Sequence, residues 1–351
     1  MIECIFTIDY ELYGNGEGSL KELVYEPARR LKMLFDEAGA KFVVFVEVAE
    51  FEKIERYRAD SCIGSVKDQI REFHEQGFEL GLHLHPQWCN ARFQKGKWVL
   101  DYTEYNLCPL PKERISQIVK DSLFYLRNIL GEPNFTPLSF RAGNWLFQPT
   151  STVSDVLVEN GFKVDSSVFK GGLQHQHNLD YRPASRNGYH WTFRDDAAIA
   201  DPAGTMLEIP IYTQPVPFWR MFTGKRMGLQ QKSSSGPRPL KQRFYRCVDL
   251  MRWFHPLKFD FCRMTLAELI SMTEQAIWEA RQDGTACQPM VAIGHTKDLV
   301  DFETVRAFLA YLKNREIRVT VFEDLYHRYG MRSGYKPDEF TSRHHQEAGA
   351  K

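Results

Sequence analysis

The chain has no Cys-x-x-Cys pair; its seven cysteines, Cys4, Cys62, Cys89, Cys108, Cys247, Cys262 and Cys287, are scattered and odd in number. That spacing excludes a cysteine-based zinc site and argues against a disulfide framework, so reduced thiols in an intracellular protein are expected. Also missing is any apolar run near the ~18 residues that a membrane span requires. The opening residues Met1-Ile2-Glu3-Cys4-Ile5-Phe6 carry neither the basic region nor the apolar core of a secretion signal. The expectation is a cytoplasmic protein, with peripheral attachment at the inner membrane face as the variant to test. Net charge is absent as well: 45 basic side chains stand against 45 acidic ones, which removes any global pull toward nucleic acid or membrane.

What is present is a globular composition, 43% hydrophobic and 26% charged, unlike that of disordered or fibrous chains. A length of 351 residues leaves room for two units or one α/β barrel, and it buries a core without staples. Apolar β runs alternate with amphipathic helical stripes. Strands are expected at Ile2 to Ile8, Lys41 to Val48, Phe78 to His85, Leu138 to Arg141, Phe162 to Asp165, Met290 to His295 and Ile317 to Phe322. Between them lie helical patterns such as Pro27 to Ala38, Pro111 to Leu130, Thr150 to Asn160, Thr265 to Arg281 and Phe302 to Leu312. Such alternation predicts a parallel sheet with crossover helices, about seven units closed as a barrel over 1–330, with a polar tail at 331–351.

The polar residues that matter stand at the C-terminal ends of these strands, where parallel α/β folds place their sites. Asp9 and Glu11 are two apart, so an extended chain turns both to one face. His83 and His85 repeat that spacing before Pro86, which ends the ladder. Two such strands side by side offer two carboxylates and two imidazoles to one pocket, a ligand set for zinc or another divalent first-row ion. Arg141, Asp165 and His295 close three further strands. Each of these residues has a bland reading too, as a solvated loop acid, a helix cap or a satisfied core group.

Thr7-Ile8-Asp9-Tyr10-Glu11, His83-Leu84-His85-Pro86, Phe140-Arg141-Ala142-Gly143, Asp165-Ser166-Ser167 and Ile293-Gly294-His295 fall in the order of five family motifs. In this the sequence resembles the polysaccharide deacetylases, the NodB-homology group or carbohydrate esterase family four, and in particular a divergent branch associated with O-antigen and cell-surface polysaccharide clusters. The resemblance implies a distorted (β/α)7 barrel and metal-dependent removal of an acyl group, an acetyl above all, from an amino sugar or polysaccharide precursor. It further implies Asp9 as general base, Glu11, His83 and His85 as ligands of a divalent metal, most simply Zn2+, and His295 as general acid. Arg141 would hold Asp9, and Asp165 would orient His295 and keep it charged. The chain departs from the family pattern in placing Tyr10 after Asp9, in a His-x-His spacing tighter than His-Ser/Thr-x-x-His, and in Arg141-Ala142-Gly143-Asn144 where Arg-x-Pro-Tyr is usual. These departures leave open Asp9 as an additional ligand. They also leave open a glycan-binding protein without catalysis, or a C–N hydrolase acting on a non-sugar amide.

Outside the motifs, His175-Gln176-His177 repeats the His-x-His spacing in a loop, Trp88, Trp145 and Trp191 neighbour site segments, and Glu208 is an acid on an apolar strand. An insertion at about 213–262 breaks the βα rhythm. From Phe218 to Lys258 it holds ten Lys or Arg against the single acid Asp249, a local charge of +9, together with Trp219, Phe222, Phe244, Trp253 and Phe254. It reads as a solvated loop, a dock for an anionic carrier such as a nucleotide or lipid diphosphate, or an attachment to an anionic membrane face. No nucleic-acid recognition motif accompanies it.

Overall fold

The computed structural model describes residues 2–233, 253–283 and 288–329. The expected polar tail at 331–351 and the central part of the insertion lie outside the described residues. Nine strands form the main sheet: β1 Ile2–Tyr10, β2 Val43–Glu47, β3 Glu79–Leu84, β4 Ser139–Ala142, β5 Val164–Asp165, β6 Trp191–Phe193, β7 Met206–Glu208, β8 Gln288–His295 and β9 Arg318–Thr320. Their order is β6-β7-β5-β4-β3-β2-β1-β8, with β9 also on β1. All neighbours are parallel except the antiparallel pair β6–β7. The sheet curls on itself. Ile211 bridges both Phe169 and Val291, and Asp260 bridges Ile293, so segments after β7 return to the far edge of β8. This is the distorted barrel that the sequence implies.

Strand alternation sorts the side chains into two layers. In β1, Cys4, Phe6, Ile8 and Tyr10 pack outward beneath the helices, whereas Ile5 joins Val43, Phe45, Val164, Leu207, Ile209 and Val291 inside the barrel. Phe322 and Leu325, from the helix Phe322–Tyr329, fill the same inner cluster. Burial of each such side chain contributes ~1.5–3 kcal/mol. Because β1 residues alternate, Thr7 and Asp9 follow Ile5 on the inner face. The barrel floor is therefore apolar, and its C-terminal rim is polar.

The ladder register then decides which polar residues meet. Asp9 stands opposite His295, Glu47 opposite His83, His83 opposite Arg141, and Asp165 opposite Glu208. Gly81, in the middle of β3, is required by packing: a Cβ there would lie 2.6 Å from the Phe45 ring and 2.9 Å from Ser139 Oγ. The strand expected to run through Val48 stops at Glu47, whose side chain accepts the Glu50 N–H and starts a helix over Val48–Tyr57. That helix was not legible from the β-rich run before it.

Candidate functional site

Four side-chain atoms converge at the C-terminal rim. Glu11 Oε2 lies 3.0 Å from His85 Nε2 and 3.4 Å from His83 Nε2, and Asp9 Oδ2 lies 3.9 Å from His83 Nε2. A third imidazole borders them, with His295 Nε2 3.3 Å from Asp9 Oδ2 and 4.0 Å from Glu11 Oε1. Asp9, Glu11, His83, His85 and His295 are all buried, at 7% exposure or less. Two overlapping groups have ligand atoms within 4.8 Å of one another: Glu11, Glu47, His83 and His85, and Asp9, Glu11 and His295.

Each inward carboxylate is tethered on one oxygen only. Arg141 donates through Nη1 to Asp9 Oδ1 at 2.7 Å, and Lys297 donates to Glu11 Oε1 at 2.7 Å and to the Leu12 carbonyl at 2.9 Å. Arg141 is itself gripped by the Ser166 carbonyl and hydroxyl, and its guanidinium stacks 4.1 Å from the centroid of Phe45. Burial alone would raise the pKa of both acids. Arg141, with His83 and His295, holds Asp9 below the usual carboxylate range, and Lys297 with the two strand-end imidazoles holds Glu11 well below it.

The donor set fits a divalent cation. His83 donates Nδ1–H to the Arg141 carbonyl at 2.9 Å, which fixes the tautomer that leaves a lone pair on Nε2. That Nε2 is buried with no hydrogen-bond partner. Although burial disfavours a charged ring, Asp9 and Glu11 raise the pKa of His83 to about 9, a measure of how strongly this pocket favours a cation. His85 Nδ1 faces the amides of Gln87 at 3.2 Å and Asn144 at 3.3 Å. Gln87 Oε1 is itself buried without a hydrogen-bond partner. Lys297 and Arg141 occupy the other carboxylate oxygens, so Glu11 and Asp9 each offer a single oxygen. Glu47 is engaged with the backbone N–H of His85 at 2.7 Å and with that of Glu50, and burial raises its pKa to about 7. This makes Glu47 a support for the His85 segment.

Two sequence expectations change here. Asp165 does not reach His295: its oxygens take the Ser167 N–H at 2.9 Å and the Ser167 hydroxyl at 2.8 Å, and the strand register pairs it with Glu208. Burial raises Asp165, and burial with the Asp165 charge raises Glu208 well above its ordinary range, which favours the protonated form of Glu208. Asp165 thereby shapes the 166–167 turn that holds Arg141. The carboxylate nearest His295 Nδ1 is Asp298, at 3.9 Å, itself bonded to Arg263. Burial also pulls the pKa of His295 down to about 4 against the opposing pull of Asp9, which favours its neutral form.

Of the other candidates, Trp145 alone among the three tryptophans borders the cluster. Its ring centroid is 6.0 Å from that of His295, and Lys258 Nζ lies 3.0 Å from its centroid. Asn144 and Trp145 both take left-handed backbone, φ 55° and 58°, a strained turn of the kind found at functional sites. Trp88 packs against Trp98 in the core, and buried Trp191 donates to the Ala197 carbonyl. His175 and His177 belong to neither group of converging ligand atoms, and His177 packs against Tyr105. Sequence reasoning missed Lys297, Asp298 and Lys258. The first two follow His295 at two and three residues, and their role depends on a turn that the strand pattern does not encode.

No family model matches the chain, and no curated protein matches it in sequence. Solved structures share its fold. A protein from Mycobacterium smegmatis titled a polysaccharide deacetylase aligns at 15% identity and a TM-score of 0.54, over 93% of this chain and 89% of that one. One from Pseudomonas aeruginosa with the same designation aligns at 14% identity and 0.50, over 93% and 91%. A GH57 branching enzyme from Thermococcus kodakaraensis aligns at 12% identity and 0.54, over 95% and 72%. At these identities the likeness establishes the fold, the one that the sequence motifs implied.

Proposed function

We propose that this protein is a metal-dependent hydrolase that removes an acyl group, an acetyl in the first instance, from an amino sugar or a polysaccharide precursor. The observation that carries the reading is the convergence of Asp9, Glu11, His83 and His85 on one point, with His83 Nε2 buried and unpaired. Structures that share the fold are titled deacetylases in two cases and a branching enzyme in a third, so the fold does not choose the reaction. The site supports the choice. Glycosyl chemistry works with a pair of carboxyls and calls for no ligating imidazoles, whereas here His83 and His85 stand beside Glu11 as a metal-ligand set.

Glu11, His83 and His85 would hold the cation, with Asp9 Oδ2 beside it; two imidazoles with carboxylate oxygen favour zinc. When bound, such an ion supplies Lewis acidity, polarising water and an acyl oxygen. Asp9, ionised and fixed by Arg141, accepts the proton of the attacking water on Oδ2. His295, neutral at rest and 3.3 Å from that oxygen, takes up this proton and passes it to the leaving amine or alcohol as the C–N or C–O bond breaks. Atoms balance: water adds across the acyl bond, giving a carboxylate and the freed sugar group. Trp145, turned inward by its strained loop, offers an indole beside His295 for the sugar ring.

The experiment is an acetate-release screen over acetylated amino sugars, free and nucleotide-linked, on zinc-loaded protein. Release from at least one member, abolished by Asp9→Asn, is the expected result. Saccharide binding and bound metal without any release would instead identify a glycan-binding protein on this barrel.

A further inference from the structure

The described part of the insertion contains a two-stranded ribbon, followed after its first strand by a helix over Gly224–Ser233. Thr213–Pro217 runs antiparallel to Phe254–Lys258, with Thr213 opposite Lys258 at one end and Pro217 opposite Phe254 at the other. The Lys258 end is rooted at the cluster, since Lys258 Nζ lies 3.0 Å from the centroid of Trp145, which in turn faces His295. At the far end five rings turn to solvent: Phe218 is 40% exposed, Trp219 56%, Phe222 51%, Trp253 75% and Phe254 61%. They form one patch. Phe218 stacks edge-on against Trp219 at 5.5 Å, lies 6.5 Å from Phe222, and donates its N–H to the Trp253 carbonyl at 3.3 Å. The other described aromatic rings that are strongly exposed, Tyr57, Tyr102, Phe124 and Trp278, are scattered along the chain.

A patch of this kind marks an interaction surface, and its surroundings indicate the partner. Lys225 and Arg226 are neutralised by Asp301 and Glu268, but Arg220 is exposed at the tip. In sequence the insertion continues with Lys232, Arg238, Lys241, Arg243, Arg246 and Arg252 against Asp249 alone. Solvent-facing Trp and Phe beside Arg220, in a segment whose sequence is this basic, match the chemistry of an anionic bilayer surface, whose interface accepts aromatic rings and whose phosphates attract cations. A second copy of the chain would bring like charge onto like charge.

We propose that the ribbon tip is a docking surface for an anionic lipid bilayer. Five residues of strand at ~3.3 Å per residue place the tip about 13 Å from the root. Docking therefore holds the rim of the Asp9–His295 cluster a short distance above the lipid, within reach of a saccharide carried on a lipid anchor. That last consequence rests on the function proposed above; the docking itself does not.

The test is co-sedimentation of the full chain with phosphatidylcholine vesicles, with and without about a quarter phosphatidylglycerol, at low and high salt. Binding about tenfold or more tighter to the anionic vesicles, weakened by salt, is expected. The variant Trp219→Ala/Phe222→Ala/Trp253→Ala should lose about tenfold or more of that binding while keeping its metal content. A readout on the unmutated chain stands beside it: brominated anionic lipid should quench tryptophan fluorescence. No preference for anionic vesicles, undiminished binding by the folded triple variant, tip-dependent self-association in place of vesicle binding, or no quenching would each overturn the proposal. Vesicle binding is read without substrate, so its outcome is separable from that of the acetate screen.

Discussion

Replacing Arg141 with methionine removes a guanidinium that is fully buried and that donates to Asp9 Oδ1 at 2.7 Å and to Ser166 O at 2.9 Å. The substitution keeps an unbranched apolar stem against Phe45, so little volume is lost. What it leaves is a buried carboxylate whose Oδ1 has lost its guanidinium partner. Breaking a buried pair from one side costs ~3–5 kcal/mol, and an orphaned Ser166 carbonyl adds ~1 kcal/mol. The charge already favoured on His83, and proton uptake by His295, offset part of this, so a net loss of about 3 kcal/mol is expected in metal-stripped protein at neutral pH. For a chain of this size that corresponds to a Tm drop of roughly 4 °C. Urea unfolding of parent, Arg141→Met, Asp9→Asn and the double variant closes a thermodynamic cycle. Since the double variant buries no unpaired charge, it should regain about 1–2 kcal/mol over Arg141→Met. An Arg141→Met protein within ~0.5 kcal/mol of the parent, or a double variant less stable than the single, would refute the account of how Asp9 is held.

Three further outcomes are expected. Asp9→Asn and His295→Ala should each keep metal yet lose ~10²–10⁴-fold in acetate release, as removal of a positioned acid or base does; retained turnover in either would remove that residue from the proton path. Gly143→Ala should weaken zinc retention about tenfold against a chelator without touching a ligand, because a Cβ there would lie 2.5 Å from the Leu84 carbonyl and 2.8 Å from the His85 ring; unchanged retention would mean that His85 does not need its present position. Burial raises Glu79 to about 7 despite hydrogen bonds from Ser139 and the Glu323 N–H. Its contribution is thus full below its unfolded pKa of ~4.3 and is lost as pH climbs to ~7; Glu79→Gln should flatten the stability profile over that window by on the order of 2–3 kcal/mol, and parallel profiles would contradict it.

The barrel was readable because its strands are buried on both faces and end in polar pairs. Asp9/Glu11 and His83/His85 are weak signals singly and informative together at strand ends, and the register then delivers Asp9 beside His295 and His83 beside Arg141. What escaped depends on chain paths between strands. Asp165 ends a strand just as Asp9 does, yet β5 pairs with β7, so its partners are Ser167 and Glu208 rather than His295. Asp298 takes the place facing His295 through a single turn, and Lys297 reaches back to Glu11 from the same turn. The downward pull on the pKa of His295 is also a tertiary effect, set by burial that no local pattern carries.

The central claim, that one cation is held between Glu11, His83 and His85 with Asp9 beside it, is tested most directly by metal stoichiometry. Elemental analysis after zinc loading and gel filtration should give one zinc per chain for the parent and for Asp9→Asn, and near none for His83→Ala. A His83→Ala protein that carries zinc as the parent does, or a parent that carries none, would contradict it.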